Sequence, residues 1–229
     1  MNQDLLNKPS LKFFVVDSQQ LCMDGTTKVL RSKYPQAEII TTTNAIDFLN
    51  QLSTYKPDLI VMDISITEKP GEIPLINTGI QLLKTIIHNY PQLNIVVQSA
   101  YIKTLVRIKS EIDLHSGGFT VADKSISTIE FLQTIEWALQ GLTNTKYIAH
   151  MNGASQVKPE WLRLLDLAFK EGFQDKAIAQ HICVSERMVR HYWQGLQDIL
   201  SIDCDELKNQ GKNLRIITQI RAREVGLID

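Results

Sequence analysis

Cysteine is scarce in this sequence. Cys22, Cys183 and Cys204 are the three among 229 residues, odd in number, far apart and without a C-x-x-C pair. That argues against a disulfide frame or a thiolate zinc site and for reduced thiols in a cytoplasm. The five histidines lack metal-ligand spacing. No apolar run approaches membrane-spanning length, and the polar start Met1-Asn2-Gln3-Asp4 does not read as a signal peptide. A cytoplasmic protein with no membrane partner is therefore expected. An excess of one charge is missing too: 24 Lys and Arg against 25 Asp and Glu leave −1. The global balance thus advertises neither nucleic acid nor an anionic membrane. Repeats and low-complexity tracts are absent. What is present, 44% hydrophobic and 21% charged residues, is the composition of a soluble protein with room for two cores.

The organising stretch is Pro57-Asp58-Leu59-Ile60-Val61-Met62-Asp63. Its unbroken apolar run suits a central strand of a parallel sheet covered on both faces. Asp63 then lies at the carboxyl edge, where open α/β sheets place their ligand sites. By itself it reads equally as a reactive or metal-binding acid and as a strand-end cap. Residues 12–16 form another apolar strand ended by an acid, Asp17. Leu21, Gly25, Val29 and Leu30 follow at helical spacing, and Ala45, Phe48, Leu49 and Leu52 mark a second helix after a short strand at 38–41. Ile80, Leu83, Ile87 and Tyr90 mark a third, which Pro91 stops. Strands at 94–98 and 118–122 come next, and Ser127-Thr128-Ile129-Glu130 reads as a capping box opening a helix through Leu139. This alternation predicts an α/β doubly wound, five-stranded parallel sheet over residues 1–141.

Residues 142–156, polar and small, read as a linker. Residues 157–229 look all-helical. Trp161, Leu164, Leu165 and Ala168 define one helix, and Ala177, Ile178 and Ile182 a second. Beyond a tight Cys183-Val184 connection, Ser185 caps a third, and Leu214, Ile217 and Ile220 mark a fourth. A short helix, a tight turn and a longer helix make a helix-turn-helix pattern.

Asp17, Asp63, Ser99 and Lys124 follow strands one, three, four and five at one edge of the expected sheet. Two carboxylates, a hydroxyl and an ammonium in one pocket suit Mg²⁺ and phosphoryl chemistry, with Asp63 as nucleophile. In that order, on those strands, they resemble the receiver domain of two-component response regulators over residues 10–141. The resemblance implies that a sensor histidine kinase phosphorylates Asp63, that Ser99 hydrogen-bonds the phosphoryl group, and that Lys124 is the strand-five lysine. It implies Mg²⁺ on Asp17, Asp63 and Ser65. The chain departs from the family in three places. Ser18 stands where a second, metal-binding acid is usual, which lowers the expected metal affinity. The loop from Thr67 to Gly79 is long, and reads as a lid, a partner selector or a tolerated insertion. Val121 stands where the family's switch aromatic is usual, leaving Phe119 or Tyr101 to substitute; Tyr101 is also placed to shield an acyl phosphate from water.

The segment Val184-Ser185-Glu186-Arg187-Met188-Val189-Arg190-His191 with Lys176 before it resembles the LuxR-type helix-turn-helix of NarL/FixJ response regulators over about 157–229. The resemblance implies that the third helix enters the major groove of double-stranded DNA. Arg187, Met188, Arg190 and His191 are the expected reading residues, and Lys176 the expected phosphate contact. Eleven Lys and Arg balance eleven Asp and Glu across 157–229, so binding is expected to be site-selective and dimer-dependent. A homodimer through the receiver or the last helix is expected, with Leu214, Ile217 and Arg221 sharing a face of that helix. The resulting expectation is a phosphorylation-controlled transcription regulator that is not an enzyme. Its alternative is a DNA-binding pseudo-receiver, deaf to phosphate and governed by a protein or small-molecule partner. A phosphatase of the haloacid dehalogenase kind needs a general acid two residues after the nucleophile, and Ser65 occupies that position.

Overall fold

The computed structural model describes residues 10–145 and 157–228. Residues 146–156 of the expected linker, and the chain start at Met1–Asp4, lie outside them. The chain divides into two compact units: residues up to Ile102 with Ser110–Thr145, and Lys103–Lys109 with the residues after Thr145. Among the described residues no helix is long and apolar enough to cross a membrane.

The first unit runs β1 (Lys12–Val16), α1 (Gln20–Lys33), β2 (Glu38–Thr42), α2 (Ala45–Tyr55), β3 (Leu59–Met62), α3 (Ile76–Asn89) and β4 (Asn94–Ser99). In chain order a 3-10 segment (Ile102–Ile108) follows, whose residues from Lys103 are grouped with the second unit, then α4 (Lys109–Asp113), β5 (Phe119–Asp123), α5 (Thr128–Leu139) and β6 (Thr143–Asn144). The sheet order is β2-β1-β3-β4-β5-β6, and every pairing is parallel. All five expected strands are present, and the two-residue β6 extends the edge beside β5.

Alternation along β1 shows why the strands are apolar on both faces. Phe13 and Val15 join Met23, Leu30, Phe131 and Ile135 in the core under α1 and α5. Phe14 faces the other way, with its ring 4.5 Å from that of Phe48 on α2. All four residues of β3 are buried, as a strand covered on both faces requires. Helix α5 begins on the expected capping box, Glu130 N–H donating to Ser127 Oγ at 3.3 Å and Ser127 N–H to Glu130 Oε2 at 3.0 Å.

Helix α1 corrects one expectation. It buries Met23, Thr26 and Leu30, whereas Leu21 is 85% exposed. The apolar count there misleads because Thr26 takes a core position by donating its hydroxyl proton to Gln98 Oε1 at 2.8 Å.

The second unit contains α6 (Pro159–Phe169), α7 (Asp175–His181), α8 (Glu186–Ile199), α9 (Cys204–Asn209) and α10 (Leu214–Glu224). Trp161, Leu164, Ile178, Val189, Trp193 and Leu196 are buried. Asp175 Oδ1 accepts from Trp193 Nε1 at 3.0 Å and from Arg215 at 2.7 Å. The Arg215 guanidinium also lies 3.9 Å from the centre of a Trp193 ring. One carboxylate, one indole and one guanidinium thereby tie α7, α8 and α10 together.

Candidate functional site

Parallel register brings the strand ends of the first unit level. Val16 pairs with Met62 and Ser99 with Asp123, so Asp17, Asp63 and Lys124 each stand at the carboxyl rim of the sheet. Asp17 and Asp63 are buried, and Ser99 is fully so. Lys124 Nζ donates to Asp17 Oδ2 at 2.8 Å and to Asp63 Oδ2 at 2.7 Å. Ser99 Oγ donates to Asp63 Oδ1 at 2.5 Å. The same Oδ1 accepts the backbone N–H of Ile64 at 2.6 Å and of Ser65 at 3.2 Å. Asp17 Oδ1 accepts from Gln19 N–H at 2.8 Å. The four side chains expected to converge do so, and Ser65 lies beside them through its backbone.

The electrostatics follow from two acids sharing one base. Burial pushes the Asp17 carboxyl above its ordinary range; its bonds to Lys124 and Gln19 only partly offset this, and the Asp63 charge adds to it. Burial pulls the Lys124 ammonium down, but its bonds to Asp17 and Asp63 outweigh that and hold it above its ordinary value. With both carboxylates ionised the cluster keeps one net negative charge. Hard anionic oxygens that already meet on one cation suit Mg²⁺. The carboxylate donors are two: among the described residues no group of three or more His, Cys, Asp or Glu is placed to hold a metal.

Two neighbours of the cluster owe their roles to contacts made by the folded backbone. Gly79, in the first turn of α3, packs so closely that a Cβ there would lie 1.8 Å from the Ile64 carbonyl oxygen. Only glycine lets α3 rest against the backbone that leaves Asp63. The long loop is bridged rather than open: Leu75 N–H donates to Ile66 O at 2.9 Å, and Gly71 turns its tip at φ 84°. Of the candidate aromatics, Phe119 is fully buried at the start of β5, its ring 6.2 Å from that of His115. Tyr101 is 48% exposed, and its N–H donates to Ser99 Oγ at 3.1 Å.

In the second unit Ser185 caps α8 by accepting from Met188 N–H at 3.2 Å, and Cys183 supplies a left-handed residue (φ 55°) to the turn before it. Val189, Trp193 and Leu196 take the inner face of α8, which leaves Arg187, Met188, Arg190 and His191 exposed. Lys176, in the first turn of α7, is exposed as well. Among the described residues, ion pairs of this unit include those of Arg163, Lys170, Lys208, Arg215 and Arg221, which lie away from the start of α8. The arrangement is a capped helix with a cationic first two turns, able to meet phosphates or guanine edges.

The family model for the response regulator receiver domain matches residues 13–136. Among solved structures, RcsB from Salmonella enterica serovar Typhimurium, bound to promoter rprA in the presence of phosphomimetic BeF3-, is similar at 18% identity. That match covers 94% of this chain and 100% of that one, with a TM-score of 0.59. The two-component response regulator RcsB in a DNA complex is similar at 16% identity over 95% of this chain and 100% of that one, TM-score 0.59. A structure of two RcsB dimers bound to two parallel DNAs is similar at 15% identity over 93% and 98%, TM-score 0.57. At these identities the likeness is one of fold.

Proposed function

Because this chain belongs to the response regulator receiver domain family, we propose that it is a DNA-binding transcription regulator controlled by phosphorylation of Asp63 from a sensor histidine kinase. The observation that carries the reading is the bonding around Asp63. Oδ1 is held by Ser99 and two backbone N–H groups, whereas Oδ2, among the described residues, meets only Lys124. Oδ2 thus keeps the lone-pair capacity to form a bond to phosphorus as the donor's phosphorus–nitrogen bond breaks. Lys124 stands where charge develops on the phosphoryl oxygens, and Ser99 supplies a hydroxyl donor to them. Asp17, Asp63 and Ser65 would hold Mg²⁺, whose chemistry when bound is to neutralise those oxygens. The added charge draws Ser99 and Lys124 inward and biases a two-state surface.

The proposed organisation is a receiver domain over residues 1–141, a linker over 142–156 and a LuxR-type helix-turn-helix over 157–229, acting in the cytoplasm as a homodimer on double-stranded DNA. Arg187, Met188, Arg190 and His191 read bases, and Lys176 holds a phosphate. The DNA-bound state of the RcsB structures of like fold supports this half of the reading. A second reading, in which the receiver takes no phosphate and answers to a protein or small-molecule partner, is favoured by the neutral Ser18 beside Asp17. Intact-mass measurement after incubation with acetyl phosphate and Mg²⁺ separates the two. The first reading expects a phosphoryl adduct on wild type that Asp63→Asn abolishes; no adduct on wild type selects the second.

A further inference from the structure

Ser18 follows Asp17 directly, yet its hydroxyl bonds away from the carboxylate cluster. Ser18 Oγ donates to Thr43 O at 3.3 Å and accepts the Thr67 N–H at 2.9 Å. Thr67 is held at each of its polar groups. Its Oγ1 donates to the same Thr43 O at 3.0 Å, and its carbonyl accepts Ala45 N–H at 3.0 Å. The next residue continues the seam, Glu68 O accepting Ile46 N–H at 3.2 Å. Thr67 is buried, so each of these bonds spares a desolvated group from going unpaired. From Thr67 the chain passes the tip at Gly71 and returns at Leu75 to bond Ile66. It then enters α3, whose Gly79 lies against Ile64. Ile64 is the residue that donates its N–H to Asp63 Oδ1. The 66–75 hairpin is therefore braced at one end by Ser18 and at the other by the backbone that fixes Asp63.

We infer that Ser18 is a positioning residue of the Asp63 site: it pins the base of the 66–75 hairpin between Thr43 and Thr67 and is thereby withdrawn from cation binding, leaving the carboxylates of Asp17 and Asp63 as the only side-chain ligands. The inference rests on the phosphoacceptor reading of that site. A hydroxyl carries one proton and two lone pairs. The proton goes to Thr43 O and one lone pair to the Thr67 N–H at the base of the hairpin, and the neutral oxygen adds no charge to the cation's shell. Cation affinity rises with the number of ligand charges, so this arrangement gives a weak cation site and a firmly held loop.

The test uses the full chain as wild type, Ser18→Ala, Ser18→Thr and Ser18→Asp, with two readouts: Mn²⁺ titration by calorimetry and amide exchange across residues 66–68. Ser18→Ala is expected to leave Mn²⁺ affinity within about twofold and to speed exchange of the Thr67 amide by roughly tenfold, the effect of losing one buried hydrogen bond. Ser18→Thr keeps the hydroxyl and returns exchange to the wild-type rate. Ser18→Asp adds a third carboxylate and tightens Mn²⁺ by about tenfold. A roughly tenfold loss of Mn²⁺ affinity in Ser18→Ala, or unchanged Thr67 exchange in that variant, overturns the inference. Acetyl phosphate labelling of the wild-type sample keeps the two ideas apart. Absent label with the expected exchange pattern removes the phosphoacceptor role and upholds the pin; label with unchanged exchange removes the pin alone.

Discussion

The carboxyl rim of the sheet and the outer face of α8 both collect charge, and they handle it in opposite ways. At the rim, Asp17, Asp63 and Ser99 are buried and every charged oxygen has a donor within 3.2 Å. On α8, Arg187 and Arg190 stand exposed in water. Burial makes the rim group interdependent, because removing any member strands a desolvated charge. Exposure makes the arginines nearly independent of the fold and leaves them available to an anionic partner. Substitution at the rim should therefore be read in stability as well as function, and substitution on α8 in function alone.

Lys124→Met breaks that contrast hardest. It leaves Asp17 and Asp63 facing each other with no cation, and in chelator at neutral pH should destabilise the chain by about 3 kcal/mol in urea unfolding. The pH dependence has a definite sign. Asp17 is already held above its ordinary value, and losing Lys124 raises it further. A group with a raised folded pKa gives its full stability below the unfolded value and loses it as pH rises through the folded one. The variant should therefore regain stability as the solution is acidified through that window. Gly79→Ala comes next. A methyl against the Ile64 carbonyl forces α3 off the strand exit, with a loss of about 2 kcal/mol and slower labelling of Asp63 by acetyl phosphate.

On the other side of the comparison, Arg187→Ala and Arg190→Ala should each leave the urea midpoint unchanged and weaken binding to a selected duplex by about 1–2 kcal/mol. Lys176→Ala should weaken binding evenly across sequences and lower the salt slope by about one. The smallest expected effect sharpens the rule for buried groups. His115 bonds Leu93 O through Nε2 at 2.8 Å, while its buried Nδ1 has no hydrogen-bond partner among the described residues. Burial holds its pKa below the ordinary 6.5. Stability from a depressed group is present above the unfolded pKa and lost as pH falls through the folded one. His115→Gln should therefore flatten the decline in stability below about pH 6.5 by a fraction of a kcal/mol.

The same contrast explains what could be read from the chain. Each rim residue ends its own apolar strand, so Asp17, Asp63, Ser99 and Lys124 were legible from four local patterns and one topology. The Ser127 capping box and the Ser185 cap were legible because a cap and its target lie three residues apart. The Ser18–Thr43–Thr67 seam was not, since its members are 24 to 49 residues apart and none has a local partner. In the sequence alone Ser18 stands out only as a missing acid. Gly79 carried a usable signal, a glycine inside an otherwise apolar helical face, but its reason lies in a backbone contact with Ile64. The 3-10 segment at Ile102–Ile108 and the six-residue α9 escaped because they are too short to show a period. Leu21 misled because hydrophobicity was counted where a hydrogen-bonded Thr26 takes the buried position.

The claim on which the account turns is that charge at Asp63 changes how the second unit meets DNA. Affinity for a duplex selected from the source genome, measured for wild type and Asp63→Asn with and without beryllofluoride and Mg²⁺, tests it most directly. The account predicts a shift of about tenfold or more on wild type, within the range of ordinary coupling free energies, and none on Asp63→Asn. Equal wild-type affinity with and without beryllofluoride would contradict it.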